Sequence, residues 1–271
     1  MSRSPRFPAS LDRVQRGNRA APTEVLRPQG PLQHAADAAA RQAAGHGAPR
    51  GIGMDSIAVR ERMVQRLRAD GIRHDAVLQA FAQVERHRFV DSALAAQAYE
   101  DTSLPIGLSQ TISKPSVVAR MLVLLFDGAN AREQGTLGRA LEIGTGCGYQ
   151  AALLALLSRS VLSIERLKAL HDKARLNLDG RRSGDLRLVY GDGRLGHAPR
   201  APYDSVIAAA GGEDLPQAWI DQLAVGGRLV APLHDAARGW QVLLVVDKRP
   251  EGLLKHWHDA VHFVPLKSGS A

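Results

Sequence analysis

A set of alternating glycines between an apolar strand and an apolar helix constrains this chain more than any other feature. Residues 140–143 predict a buried parallel strand, and the stretch 151–157 predicts a helix of strong helix formers. Between them lie Gly144, Gly146 and Gly148. Glycine lets the backbone pass close beneath a ligand, and a helix start offers free N–H groups. The order predicts the nucleotide-binding opening of a doubly wound α/β sheet, and a turn without a ligand is the less favoured interpretation.

The glycine spacing indicates which nucleotide to expect. A dinucleotide fingerprint, G-x-G-x-x-G, would place its third glycine at position 149, where this chain has Tyr149. The pattern is G-x-G-x-G with Glu142 before it, which resembles motif I of the Rossmann-like methyltransferases that hold S-adenosylmethionine. A second strand, 160–165, ends in Glu165, 21 residues after Gly144, the spacing expected of a ribose-binding carboxylate. Strand-end acids also cap helices, so the glycines are what favour the ribose.

Length and cysteine content limit the class of protein. The 271 residues suffice for one α/β domain plus an appendage. The chain has one cysteine, Cys147, so no internal disulfide can form, and we expect a reducing, cytoplasmic location. No apolar run approaches the roughly 18 residues of a membrane span, so we expect no membrane partner.

The first 53 residues differ in composition from the rest. They hold eight arginines, no lysine and three acids, and so contribute +5 of the formal net charge of +8. Six prolines and six glycines accompany them, which predicts a disordered Arg/Ala/Pro-rich tail at 1–53. A tail without a set role is favoured over an organellar transit peptide or a weak contact with nucleic acid. We expect the ordered domain to span 54–271.

Within that domain, 54–115 predict N-terminal helices and a substrate loop, and 116–271 a Rossmann-like core. The front helices are expected near 56–69, 75–84 and 92–97 as a lid or a substrate platform. Strands are expected at 185–190, 203–210 and 225–232, followed by an antiparallel pair at 240–246 and 253–264. The predicted fold class is therefore α/β, a doubly wound and mostly parallel sheet with an antiparallel C-terminal strand pair.

The segment 99–115 is polar, long for a connection and predicted to be an irregular, functional loop. Pro115 suits the first turn of the helix that follows, which places Ser113 or Lys114 at its N-cap. From these residues alone, Ser113 is as well explained by capping as by chemistry.

Several segments together resemble the protein-L-isoaspartate (D-aspartate) O-methyltransferase family, over about residues 55–267. The shared segments are Tyr99-Glu-Asp, Leu104-Pro-Ile-Gly107, Gln110-Thr-Ile-Ser-Lys-Pro115, Leu141-Glu-Ile-Gly-Thr-Gly-Cys-Gly-Tyr-Gln150, Ser163-Ile-Glu-Arg166, Gly191-Asp-Gly193, Gln222-Leu-Ala-Val-Gly-Gly-Arg-Leu-Val-Ala-Pro232 and Phe263-Val-Pro-Leu266. The glycine motif alone indicates a methyltransferase. The Thr-Ile-Ser-x-Pro loop and the Phe-Val-Pro-Leu ending narrow the resemblance to this family.

The resemblance implies a class I S-adenosylmethionine-dependent methyltransferase that acts on the α-carboxylate of isoaspartyl residues in aged proteins and so begins their repair. It implies Ser113 as the active-site residue. The implied cofactor-binding residues are Glu142, Gly144, Gly146, Gly148, Glu165, Asp192 and Gly193. The implied substrate-binding residues are Ile106, Gly107, Thr111, Ile112, Val264, Pro265 and Leu266. From the residues themselves, an acid that follows the predicted strand 185–190 and is flanked by glycines can accept a hydrogen bond from the adenine amino group. Gly-Asp-Gly at 191–193 is also typical of a plain turn, which leaves the role of Asp192 open.

Two positions depart from the family pattern. Lys114 stands where glutamine is common, and Cys147 where serine is common. A neutral hydroxyl such as that of Ser113 can orient an anionic carboxylate without fixing its charge in the ground state. Lys114 is therefore expected to face solvent or a flanking group of the substrate.

The sequence alone leaves other functions open. A methyltransferase for RNA or a small molecule shares the glycine motif, but residues 54–271 carry only +3 of the net charge. A non-catalytic binding module is disfavoured because Ser113, Glu165 and Asp192 are all present. His256, His258 and His262 alternate like strand residues, so no metal site is expected. We expect a monomer whose partners are proteins or peptides containing isoaspartyl residues.

Overall fold

The computed structural model describes residues 57–180 and 184–271, so the predicted tail lies outside the described residues. The helices are α1 (Ile57–Ala69), α2 (Asp75–Gln83), α3 (Pro115–Phe126), α4 (Ala129–Gln134), α5 (Tyr149–Leu157), α6 (Lys168–Leu178) and α7 (Gln217–Gln222). The strands are β1 (Leu104–Gly107), β2 (Gln110–Ile112), β3 (Arg139–Ile143), β4 (Ser160–Glu165), β5 (Asp185–Tyr190), β6 (Tyr203–Ala208), β7 (Leu223–Asp235), β8 (Trp240–Arg249) and β9 (Gly252–Ala260). Short 3-10 turns lie at Arg86–Phe89, Ser92–Gln97, Gly193–Leu195 and Ala198–Arg200.

Strands β3 to β9 form one sheet in the order β5-β4-β3-β6-β7-β8-β9. Neighbouring strands from β5 to β7 are parallel, whereas β8 is antiparallel to both β7 and β9. The predicted fold class is confirmed. The chain runs from β3 outward to β4 and β5 and returns to β6 on the other side of β3. Ligands in open α/β sheets bind at the carboxyl ends of the strands beside such a reversal, which directs attention to β3, β4 and β6.

The sheet is covered on both faces. In β3 and β4 every residue after the first is buried, as expected of central parallel strands that read as continuous apolar runs. One core cluster joins the sheet to helices α1, α2, α3, α5 and α6, and a second lies around Trp219 of α7. None of the helices in the described ranges combines the length and the apolarity needed to cross a membrane.

The front helices belong to the first of these cores. Met63 of α1 and Phe81 of α2 are buried in the same cluster as α3 and α5. Phe81 and Phe89 both meet the ring of Tyr149 edge-on, with ring centroids 6.2 and 5.5 Å apart. Such aromatic pairs add to the stabilisation from buried area. The front helices therefore share one core with α3 and α5, and their role as a lid or a substrate platform stays a prediction.

The prediction of an irregular loop at 99–115 is wrong over its second half. β1 and β2 form an antiparallel hairpin outside the large sheet. The hairpin was missed because its turn residues are Leu108 and Ser109, both at positive φ, 52° and 56°. Such turns are normally recognised by Asn-Gly or Asp-Gly, neither of which is present.

The N-cap of α3 is Lys114, whose side chain makes no capping hydrogen bond. The cap is supplied from a distance. Asp101 accepts hydrogen bonds from the backbone N–H and the hydroxyl of Ser116, at 2.8 and 2.7 Å. Ser113 is therefore not needed to begin this helix, which weakens the capping explanation for it.

Candidate active site

A cavity of about 490 Å³ lies at the carboxyl ends of β3, β4 and β6. This volume falls within the range of small-molecule sites. Its lining comes from the hairpin and the following loop, the glycine turn, the end of β4, the residues after β6 and the C-terminal segment. Predicted residues found in this lining are Ile106, Thr111, Ile112, Ser113, Gly144, Gly146, Glu165, Gly193, Val264, Pro265 and Leu266.

The glycine turn is built as the sequence predicts. Gly144, Gly146 and Gly148 all have positive φ, at 88°, 56° and 93°. A Cβ at Gly148 would lie 3.0 Å from Cδ1 of Leu178, so α6 packs where a side chain would stand. The turn presents its backbone to the cavity at Gly144 and Gly146, whereas Gly148 faces α6 and does not line the cavity.

Glu165 connects the turn to the end of β4. One carboxylate oxygen accepts from the backbone N–H of Gly146 at 2.8 Å, and the other from that of Leu167 at 2.9 Å. The side chain is almost fully buried but lines the cavity. Because a carboxylate has about four lone-pair sites, it retains acceptor capacity for two ribose hydroxyls.

Glu142 lies beneath the turn rather than in the cavity lining. It is fully buried, and it accepts a hydrogen bond from the hydroxyl of Ser163, which is itself 2.6 Å from the hydroxyl of Thr145. Burial, aided by the nearby negative charge of Glu165 and opposed by hydrogen bonding, raises the pKa of Glu142 to about 8. Glu142 is thus linked to the cavity only through Ser163 and Thr145, and of these three residues Thr145 alone lines it.

Asp192 and Gly107 also fall outside the cavity lining. The Asp192 carboxylate accepts from the backbone N–H groups of Arg194, at 2.9 Å, and of Gly269, at 2.6 Å. The C-terminal residues thus occupy the acceptor that was predicted for an adenine amino group. Gly107 is exposed because alternate residues of β1 point away from the protein.

The side of the cavity lined by the predicted substrate-binding residues is held by hydrogen bonds between distant segments. The backbone N–H of Gly211 donates to Val264, and that of Leu266 donates to Gly211, at 2.8 and 2.7 Å. Lys173 of α6 donates to the carbonyl of Ile106 at 3.0 Å. These bonds bring the predicted Phe-Val-Pro-Leu ending and the Thr-Ile-Ser loop to one cavity, although 150 residues separate Ser113 from Phe263.

Lining residues that were not predicted include Thr145, Gln150, Leu170, Ala209 and Lys267. Ala209 follows β6, and the carboxyl end of that strand was already the expected place for a ligand. Thr145 and Gln150 belong to the glycine segment and could have been included on position alone. Nothing in the sequence around Leu170 and Lys267 indicates that they line the cavity, because their positions depend on the packing of α6 and of the C-terminal residues.

Fold and site together define a class I, Rossmann-like methyltransferase with a site built for S-adenosylmethionine. A model of the family described as protein-L-isoaspartate(D-aspartate) O-methyltransferase (PCMT) matches residues 58–271. The chain belongs to this family.

Relatives over nearly the whole chain carry the corresponding name. A protein-L-isoaspartate O-methyltransferase of Methylibium petroleiphilum is 59% identical, covering 98% of this chain and 97% of the relative. One of Leptothrix cholodnii is 62% identical, covering 90% and 84%. A solved structure from Plasmodium falciparum, assigned to the same activity and bound to S-adenosyl-L-homocysteine, aligns with a TM-score of 0.65 at 25% identity. The alignment covers 77% of this chain and 98% of that one.

Proposed function

We propose that this chain transfers a methyl group from S-adenosylmethionine to the free α-carboxylate of L-isoaspartyl residues in damaged proteins, the first step of their repair. One observation carries the proposal. A single cavity brings the glycine turn and Glu165 together with the Thr-Ile-Ser loop that ends in Ser113. The names of the relatives support the same reaction.

The residues present fit the proposed methyl donor. Glu165 offers acceptors suited to the ribose hydroxyls, and Gly144 and Gly146 let the backbone approach the ligand. When bound, S-adenosylmethionine supplies an electrophilic methyl group on a cationic sulfonium. Asp192 is suited to the adenine amino group only if it shares its carboxylate with Gly269 or if the C-terminal residues move.

The chemistry requires alignment rather than proton transfer. A carboxylate has a reference pKa near 4, so the substrate is already the nucleophile at neutral pH. Its oxygen forms a bond to the methyl carbon as the carbon–sulfur bond breaks, giving a methyl ester and S-adenosylhomocysteine without moving a proton. The Ser113 hydroxyl donates a hydrogen bond that orients the carboxylate. Apolar lining residues such as Ile112, Val264 and Leu266 exclude water from two ions whose charges cancel.

The proposal extends to where and how the chain works. We place the reaction in the cytoplasm and assign it to a monomer acting on whole damaged proteins. Cys147, the one cysteine of the sequence, is buried and forms no disulfide, which suits a reducing compartment. Size-exclusion chromatography with light scattering measures the oligomeric state, and a dimer would contradict that part of the proposal.

Methyl transfer to a matched pair of peptides tests the function. The two peptides share one sequence and differ only in an isoaspartyl or an ordinary aspartyl linkage. We expect ester formation on the isoaspartyl peptide and none above background on its twin, measured with radiolabelled methyl donor. Equal methylation of both peptides, or failure to use the donor, would refute the proposed function. Transfer to RNA in place of the peptide would support the alternative class of methyltransferase.

A further inference from the structure

Arg86 is a fully buried arginine at the start of a 3-10 turn between α2 and the Ser113 segment. Arginine is almost never fully buried without partners. Its Nε donates to the carbonyl of Ala98 at 2.8 Å, and its Nη2 donates to the carbonyl of Ser113 at 2.7 Å. Its Cζ lies 4.7 Å from the ring centre of Tyr149. Burial raises the pKa of the Tyr149 hydroxyl, so this partner is neutral.

These contacts join three separate segments. Ala98 ends the front helical region, Ser113 ends the Thr-Ile-Ser loop, and Tyr149 begins α5 directly after the glycine turn. Ser113 and Tyr149 both line the cavity, on its substrate side and its cofactor side. The guanidinium therefore spans the two halves of the site from behind, because Arg86 itself is not part of the lining.

Packing alone does not explain a cation at this position. Within the described residues, Nη1 of Arg86 and the hydroxyl of Tyr149 are both buried and neither makes a hydrogen bond of normal geometry, although the two groups are close enough to interact electrostatically. Desolvation of the guanidinium lowers the pKa of Arg86, which shows that burial disfavours its charge. Apolar side chains of similar volume often replace buried charged groups without loss of stability. What an apolar residue could not supply is the pair of bonds that fixes the carbonyls of Ala98 and Ser113.

We propose that Arg86 is a positioning residue for methyl transfer, an inference that rests on the proposed function. By holding the Ser113 carbonyl against the start of α5, it sets the distance between the hydroxyl that orients the substrate and the bound methyl donor. A planar fork with donors in several directions, stacked on an aromatic face, suits arginine and not lysine. Misplacement by about 1 Å can lower a rate about 100-fold, so loss of one such bond is measurable.

A double-mutant cycle with Arg86→Lys and Ser113→Ala tests this role. We expect Arg86→Lys to lower kcat about 10- to 100-fold while the Kd for S-adenosylmethionine stays within about threefold of wild type. In the Ser113→Ala background, the same substitution should change kcat by less than about threefold, because residues that act as a unit are not additive. Arg88→Lys is the matched control, since Arg88 is two residues away, 41% exposed and paired with Glu85.

A purely structural role gives a different result. It would lower the melting temperature and would reduce kcat by the same factor whether or not Ser113 is present. Additive effects of this kind, or an unchanged kcat in Arg86→Lys, would overturn the inference. If Arg86→Lys does not fold, Arg86→Gln replaces it in the double-mutant cycle with Ser113→Ala. Glutamine keeps a donor for one of the two carbonyls and removes the buried charge. Absence of methyl transfer by the wild-type protein would refute the proposed function instead, so the two failures are distinguishable.

Discussion

The two halves of the cavity are held in place by different means. The half that we assign to the cofactor, with the glycine turn and Glu165, follows β3 and β4, which are central strands paired with neighbours on both sides in a parallel sheet. The half that we assign to the substrate, with Ser113, contains the β1–β2 hairpin, which lies outside that sheet. Its links to the core include side-chain bonds from Lys173 to Ile106 and from Arg86 to Ser113. We therefore expect changes on the substrate side to alter the rate, and changes on the cofactor side to alter affinity for the donor.

The largest effect should come from Ser113→Ala. We expect kcat to fall about 100-fold or more, because the carboxylate loses the donor that orients it. The Kd for S-adenosylmethionine should stay within about threefold, since Glu165 and the glycine turn are untouched. Steady-state methyl transfer and titration calorimetry measure the two quantities. Ser116→Ala, which removes a hydroxyl bonded to Asp101 at the start of α3, is the matched control. Unchanged turnover in Ser113→Ala would remove this residue from the chemistry.

Glu165→Gln should produce the reverse pattern. Hydrogen bonds to charged groups contribute about 1.5–3 kcal/mol, so loss of the charge should weaken donor binding about 10- to 100-fold. Glutamine keeps the shape and one acceptor, which limits damage to the turn at Gly146. At saturating donor, kcat should fall much less than the affinity. Glu251→Gln, on the exposed turn between β8 and β9, serves as the control. Equal Kd values for Glu165→Gln and wild type, measured by calorimetry, would contradict a ribose-binding role.

The third prediction concerns Glu142 and stability. Its pKa is about 8 in the folded protein against 4.5 for a free glutamate side chain, so between these pH values the folded state binds a proton that the unfolded state has released. Stability should therefore fall as the pH rises from about 5 to about 8, by up to about 1.4 kcal/mol per pH unit. Glu142→Gln, which is neutral throughout, should lack this part of the pH dependence. Urea unfolding of both proteins at pH 5.5 and 8.5 measures the difference. Parallel pH profiles would show that Glu142 is ionised when folded.

The two halves of the cavity also differ in how far the sequence predicts them. The parallel sheet, the glycine turn and the position of Glu165 follow from local periodicity and spacing, and the structure has them as expected. The hairpin was missed because Leu108 and Ser109 do not resemble the residues of a tight turn. Arg86 stands in the run Arg-His-Arg, which reads as exposed, and only tertiary packing buries it.

Asp192 shows the limit in another form. Its place after β5 was correctly identified, but its carboxylate accepts from Gly269, a residue 77 positions later in the chain. A local motif identifies a hydrogen-bonding group such as the Asp192 carboxylate. Which group donates to it depends on segments that are distant in the sequence. The cofactor half is thus predictable where it depends on the sheet and unpredictable where it meets the C-terminal residues.

The smallest effect should come from Lys114, although it is adjacent to Ser113 and departs from the family pattern. Its side chain is exposed and does not line the cavity, as expected for a cation that should not touch the reacting oxygens. Exposed charges typically contribute less than about 1 kcal/mol. We therefore expect Lys114→Gln to keep kcat within about threefold, and to raise KM modestly only for isoaspartyl peptides with an acidic neighbour. Assays of isoaspartyl peptides with acidic and with neutral flanking residues, run in parallel, measure kcat and KM separately for each kind of peptide. A fall in kcat by orders of magnitude would instead place Lys114 inside the site. It would refute the view that the neutral hydroxyl of Ser113 orients the carboxylate while the charge of Lys114 stays away from the reacting oxygens.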